Sequence, residues 1–294
     1  MSDEAAAAAA SQQDIQALAK GGRTNFIGFL LRLAGRIPFL FVAGRLYGAE
    51  SLGRFASAMV AIELAGQLCA LGQKRGLAQR LSEDGDHPAN TVADAMLLSV
   101  MIAGAMTVLL MIFPAPMFPS GQYNDLDRWL PIMLIPATMT DIALSAQAYR
   151  YDLATAVRSR AIVEPWSISI FAAAFYFVIP ESGLLMAYVG SMLAAAVVAI
   201  VPMLRTYGLP QQWRPHPLRL WRLAMLNLPL AVADVVEWGT RRLDVAILGL
   251  FASPAAVGVY YVAQQVASLP QKFKTSFDAI LGPVITRNLK EGNL

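Results

Sequence analysis

Stretches of some twenty mostly apolar residues recur along this chain, at 25–47, 54–72, 93–113, 129–148, 161–178 and 183–203, with longer ones at 223–251 and 255–281. Each is long enough to cross the roughly 30 Å hydrocarbon layer of a bilayer as a helix. A single such window could be a core helix; eight in series define a chain whose solvent is largely lipid. Composition agrees, since 56% of residues are hydrophobic and 15% charged, against about a quarter charged in soluble domains. Lipid offers no partner for a free N–H or C=O, so the backbone must close its hydrogen bonds as helices or as a closed barrel. The chain lacks the alternating ten-residue strands of a barrel. The expected fold is therefore all-α and polytopic, with eight transmembrane helices.

The basic residues alternate along the connections. Lys20 and Arg23 precede the first window; Lys74, Arg75 and Arg80 follow the second; Arg150, Arg158 and Arg160 follow the fourth; Arg205, Arg214, Arg219 and Arg222 follow the sixth; Arg287 and Lys290 follow the eighth. The intervening connections carry few, such as Arg54 and Arg128. Cytoplasmic connections hold the excess of Lys and Arg, so the pattern predicts both termini in the cytoplasm. The Ala-rich segment 1–24 has no basic n-region followed by an apolar core, so it is not a cleavable signal peptide; a surface helix and a disordered tail both fit it.

Other classes are excluded by what the residues lack. A formal charge of +3 is dispersed between windows rather than gathered with aromatics into a patch, which argues against nucleic acid. The single cysteine, Cys69, allows no intrachain disulfide, and two loop histidines offer no metal cluster. No phosphate-cradling glycine loop and no paired metal-ligand histidines occur, so neither an enzyme nor ATP use is expected.

The chain also repeats. A shift of 205 residues places Arg36 on Arg241, Gly44 on Gly249, Gly53 on Gly258, Phe55 on Tyr260, Ala58 on Ala263 and Leu64 on Leu269. Windows one and two thus recur as seven and eight, both pairs starting in the cytoplasm, as in a parallel repeat about an axis along the membrane normal. This divides the chain into a first six-helix lobe at 25–205, a cytoplasmic linker at 206–222 and the first two helices of a second lobe at 223–294. Six helices precede the second copy and two belong to it. The expectation is a chain cut within a second lobe; a short form that recruits another chain is the alternative.

The sequence resembles the polysaccharide biosynthesis or oligosaccharide flippase proteins of the multidrug, oligosaccharidyl-lipid and polysaccharide exporter superfamily. The resemblance is carried by Gly44-Arg45-Leu46-Tyr47-Gly48 leading into Leu52-Gly53-Arg54-Phe55, and by Leu71-Gly72-Gln73-Lys74-Arg75. Further on, Asp244-Val245-Ala246-Ile247-Leu248-Gly249 leads into Val257-Gly258-Val259-Tyr260, and Ser276-Phe277-Asp278 precedes Pro283-Val284-Ile285. It implies two six-helix lobes around a cavity that opens alternately to either side of the bacterial inner membrane. The implied substrate is a polyprenyl-diphosphate-linked oligosaccharide, an O-antigen or exopolysaccharide repeat unit, and polysaccharide polymerase and glycosyltransferases are implied as neighbours.

The polar residues inside the windows are the candidate machinery, because a charge in the bilayer interior costs about 2.5–3.5 kcal/mol and needs a partner, water or a ligand. Arg32 and Arg36 lie one turn apart on one helix face, and Arg36 has a repeat counterpart in Arg241. A cationic cavity built on Arg36 and Arg241, with Arg32 nearer the cytoplasmic mouth, suits a diphosphate, which guanidinium binds through paired donors. The competing reading pairs these arginines with internal acids or lets Arg32 reach the interface. Asp234, Glu237, Arg241 and Asp244 form one stripe, a gate or an ion-pair ladder. Gln265 and Lys272 belong to a second stripe that suits sugar and phosphate, or lets Lys272 snorkel. Glu63, Asp141 and Glu164 each balance an arginine or bind a coupling proton or sodium ion. Trp129, Trp166, Trp221 and Tyr188 read as interface or packing residues. A cation-coupled multidrug exporter, a peptidoglycan-precursor flippase and a non-transporting scaffold for polysaccharide assembly are the alternative functions.

Overall fold

A computed structural model of the chain describes residues 27–83, 87–268 and 270. Segment 1–24, Lys272, Lys274, Asp278 and the motif at 276–285 lie outside the described residues.

Helix α1, residues 27–42, runs into a π-helical turn at Ala43–Tyr47. Gly48 then turns the corner into α2 (Gly48–Ala70) with φ 83°, a left-handed value that favours glycine. Two successive left-handed residues, Leu71 and Gly72, end α2, and the Leu71 N–H donates to the Gln67 and Leu68 carbonyls. The connection does not remain a loop. Residues Gln73–Glu83 form α3, an amphipathic helix that buries Gly76, Leu77 and Leu81 while Arg75, Gln79 and Glu83 stay exposed.

Helix α4 (Pro88–Ile112) starts on proline, whose missing N–H is no loss in a first turn. A 3-10 segment at Asp127–Met133 leads into α5 (Leu134–Tyr149). Asp152 caps the next stretch by accepting the Thr155 N–H at 3.1 Å. That stretch passes through α6 (Leu153–Ala156), a π-helical segment (Val157–Val163) and α7 (Glu164–Tyr176). Helices α8 (Gly183–Tyr207), α9 (Pro217–Phe251) and α10 (Pro254–Ala267) follow.

Among the described residues the regular secondary structure is all helical, as the hydropathy pattern required, and four helical stretches are long and apolar enough to cross a membrane: Ile27–Glu83, Pro88–Ile112, Asp127–Tyr149 and Gly183–Tyr207. The first covers 57 residues and contains the corners at Gly48 and Leu71–Gly72. Large apolar side chains, including Phe41, Met101, Ile170, Val197 and Leu250, face outward, as expected where lipid is the solvent.

The main core gathers Leu52, Phe55, Ile62, Leu134 and Met192 from α2, α5 and α8. A smaller core of Ala56, Val60, Val245 and Val257 joins α2 to α9 and α10. Here Gly53 and Gly258 let α2 and α10 cross with their backbones in contact: a Cβ on Gly53 would strike the Pro254 carbonyl, and one on Gly258 the Ala49 carbonyl. Ala49 and Pro254 are themselves 205 residues apart, so the two contacts mirror each other. Tyr188 packs internally against Phe55, whereas Trp129, Trp166 and Trp221 are exposed, Trp166 with one edge against Gly35.

Candidate functional site

The densest charge cluster is centred on Arg160, a residue that the basic pattern assigns to a connection and the structure places inside a helix. Pro165 explains the local geometry. Proline has no N–H to donate to the Ala161 carbonyl, and one residue earlier the Glu164 N–H reaches back five residues to Ser159. The ladder widens into the π-helical segment, a deviation that often marks functional positions. The Ser159 hydroxyl donates to the Ala195 carbonyl at 3.0 Å and ties this segment to α8.

Held this way, Arg160 pairs with Asp141 of α5 through Nη2 and with Glu164 through Nη1 at 2.8 Å. Lys74, at the start of α3, reaches the other Asp141 oxygen at 2.8 Å and donates to Gln67 at 3.2 Å. Lys74, Asp141 and Arg160 line a pocket of about 440 Å³ between α3, α5 and the π-helical segment. Arg32 lies within electrostatic reach of Arg36, Glu164 and Arg160. Four cations thus surround two carboxylates, and the excess is positive.

Arg36 lines a second, narrower pocket with Glu164, Tyr188, Tyr261 and Gln265, so the structure brings Arg36 and Gln265 together on facing helices. Among the described residues neither Arg32 nor Arg36 makes a hydrogen bond or an ion pair, whereas Asp141 and Glu164 are both engaged by Arg160.

Arg241 is not brought to Arg36. Its side chain is 72% exposed and bonded to Glu237 at 2.5 Å. The α9 stripe is partnered by α3: Arg75 bridges Asp234 at 3.0 Å and Glu237 at 2.6 Å. Gly72 and Gly76 allow α3 to sit this close, since a Cβ on Gly72 would lie 2.7 Å from the Asn227 carbonyl oxygen. Asp244 accepts from Tyr260 at 2.7 Å and Gln264 at 2.6 Å of α10. Glu63 receives a bidentate grip from Arg242, at 2.7 and 2.8 Å.

Sequence reasoning passed over Arg160, Lys74, Arg75 and Arg242 as site members. The spacing of Arg160 and Glu164, four residues apart and just before a proline, was the available signal for the first. Among the described residues no group of three His, Cys, Asp or Glu is placed to hold a metal ion.

An all-helical bundle with an apolar exterior and four helical stretches long enough to cross a bilayer is a membrane protein. The polysaccharide biosynthesis protein family matches residues 42–291, and the chain belongs to that family. No curated protein and no solved structure matches it.

Proposed function

We propose that the protein is a transporter, not an enzyme, that carries a polyprenyl-diphosphate-linked oligosaccharide across the bacterial inner membrane by alternating access. The observation that carries this reading is the net-positive cluster of Arg32, Arg36, Lys74 and Arg160 around Asp141 and Glu164. A diphosphate has charge to match the excess, and guanidinium groups supply paired, always-protonated donors. Arg36 is the first contact in this reading because it needs no internal bond to be broken. Lys74 and Arg160 bind the anion by giving up part of their hold on Asp141, while Gln265 and Tyr261 are placed for sugar hydroxyls.

The topology proposed has eight spans: α1, α2, α4, α5, α6 with α7, α8, α9 and α10, with both termini cytoplasmic and α3 lying along the cytoplasmic face. The lobes are 25–205 and 223–294, joined by a linker at 206–222. The reciprocal contacts of Gly53 and Gly258 support a parallel repeat, and the dispersed Lys and Arg support the orientation. Arg75 with Asp234 and Glu237, and Glu63 with Arg242, then act as bridges between lobes that break and reform as the cavity changes sides. The polymerase and glycosyltransferases of the same polysaccharide are the proposed partners.

The test is export of surface polysaccharide in cells carrying Arg36→Glu. Arg36 has no ion pair among the described residues, so reversal removes none of the pairs described above. Loss of export with wild-type amounts in the membrane is expected; normal export at those amounts overturns the proposal.

A further inference from the structure

A pocket of about 340 Å³ opens where α3, the start of α4 and the start of α9 meet, on the face opposite the Gly53–Gly258 crossing. Three guanidinium groups line it, from Arg80, Arg219 and Arg222. Two helices also begin there, and their positive ends add to the field. The two acids present are already engaged. Asp94 accepts from Trp213 at 2.8 Å and pairs with Arg219 at 2.8 Å, and Glu83 accepts from Gln79 at 2.9 Å. Arg80 donates one bond to Gln73, but its Nε is buried without a partner among the described residues.

The pocket is not purely polar. Leu223 and Leu226 form part of the wall, and Leu218, Trp221 and Leu226 are exposed on the same helix. An exposed tryptophan beside leucines, at the end of a helix that goes on into an apolar bundle, is the composition of a membrane interface.

From this juxtaposition of three arginines, two helix starts and an apolar rim we infer a binding site for the phosphate of an anionic phospholipid headgroup in the cytoplasmic leaflet. Basic pockets between helices on that side suit such headgroups. The phosphate would take the guanidinium groups of Arg80 and Arg222, and the acyl chains would lie over Leu226. Because α3, α4, the linker and α9 all meet here, a bound lipid would fasten the first six helices to α9. The inference rests on the proposed orientation but not on the transported substrate.

The full chain in nanodiscs of phosphatidylcholine alone, or with added phosphatidylglycerol, provides the test, with thermal unfolding as the readout. Phosphatidylglycerol is expected to raise the midpoint, and Arg222→Gln or Arg80→Gln to raise the half-effective lipid fraction about fivefold each. Arg222 is exposed, so its variant folds even if the Arg80 variant does not. An equal response in Arg222→Gln and wild type overturns the site, as does the absence of any phosphatidylglycerol effect. Inorganic phosphate added to the phosphatidylcholine discs separates a headgroup from a free anion: no stabilisation is expected, and full stabilisation by it overturns the lipid assignment.

Discussion

Gly53 and Gly258 meet back to back where α2 crosses α10, and each leaves room for the turn of helix that begins the other's element. Residue for residue the contact is its own mirror image, with Ala49 standing to Gly258 as Pro254 stands to Gly53. No side chain larger than hydrogen fits at either position.

Gly53→Leu or Gly258→Leu therefore forces α2 and α10 apart. Overpacking costs about 1–3 kcal/mol in a well-packed core, and contact with backbone leaves little to yield, so the upper end is expected. Gly44 and Gly104 have open space around them, and their alanine variants serve as controls with unchanged or slightly raised stability. Midpoints of thermal unfolding in detergent compare the four variants directly.

Arg160→Gln leaves Asp141 and Glu164 without their shared partner. Removing one member of a fully buried pair costs about 3–5 kcal/mol; less is expected here, because the Arg160 side chain is 23% exposed and Lys74 still reaches Asp141. Arg160→Gln with Glu164→Gln should recover part of that loss, since the second change removes a stranded carboxylate. A double variant no more stable than Arg160→Gln alone would show that Glu164 does not depend on Arg160.

Glu63→Gln and Arg242→Gln should show coupling in a double-mutant cycle, of about 0.5–3 kcal/mol for residues in direct contact. The reversed pair, Glu63→Arg with Arg242→Glu, should be more stable than either reversed single variant. Stability of the purified variants against heat gives all the corners of the cycle.

Trp213 and Asp94 tie the linker to α4, and Asn90 adds a bond to the Gln211 carbonyl at 3.2 Å. Asp94→Asn weakens this tether by about 1 kcal/mol, and chymotrypsin should then cut after Trp213 roughly fivefold faster. Mass-resolved digestion time courses would reveal it.

The long helices were legible in the sequence because hydropathy reports what lipid demands of a segment. Tyr47 ends the first apolar window and also the π-helical turn before Gly48, and Gly183 begins both the sixth window and α8. Helix α3 was not legible that way, because Lys74, Arg75 and Arg80 make it polar; its burial of Gly76 and Leu77 depends on helices distant in sequence. The ionic partners were the least legible. Residue types in a window show that Glu63, Asp141 and Glu164 need counter-charges, but only packing decides that Arg242, Lys74 and Arg160 supply them. The 205-residue shift that sets Arg36 on Arg241 does not bring the two side chains together.

The π-helical segment at Val157–Val163 amounts to one surplus residue looped into an otherwise regular rod. Each residue advances a helix by about 100°. Excising one residue between Arg160 and Glu164 would let the rod close up with the two side chains still on one face, three residues apart instead of four. Length at this one place sets reach rather than direction: the pair would survive, while the Ser159 hydrogen bond to α8 would be displaced by one residue's rise along the rod.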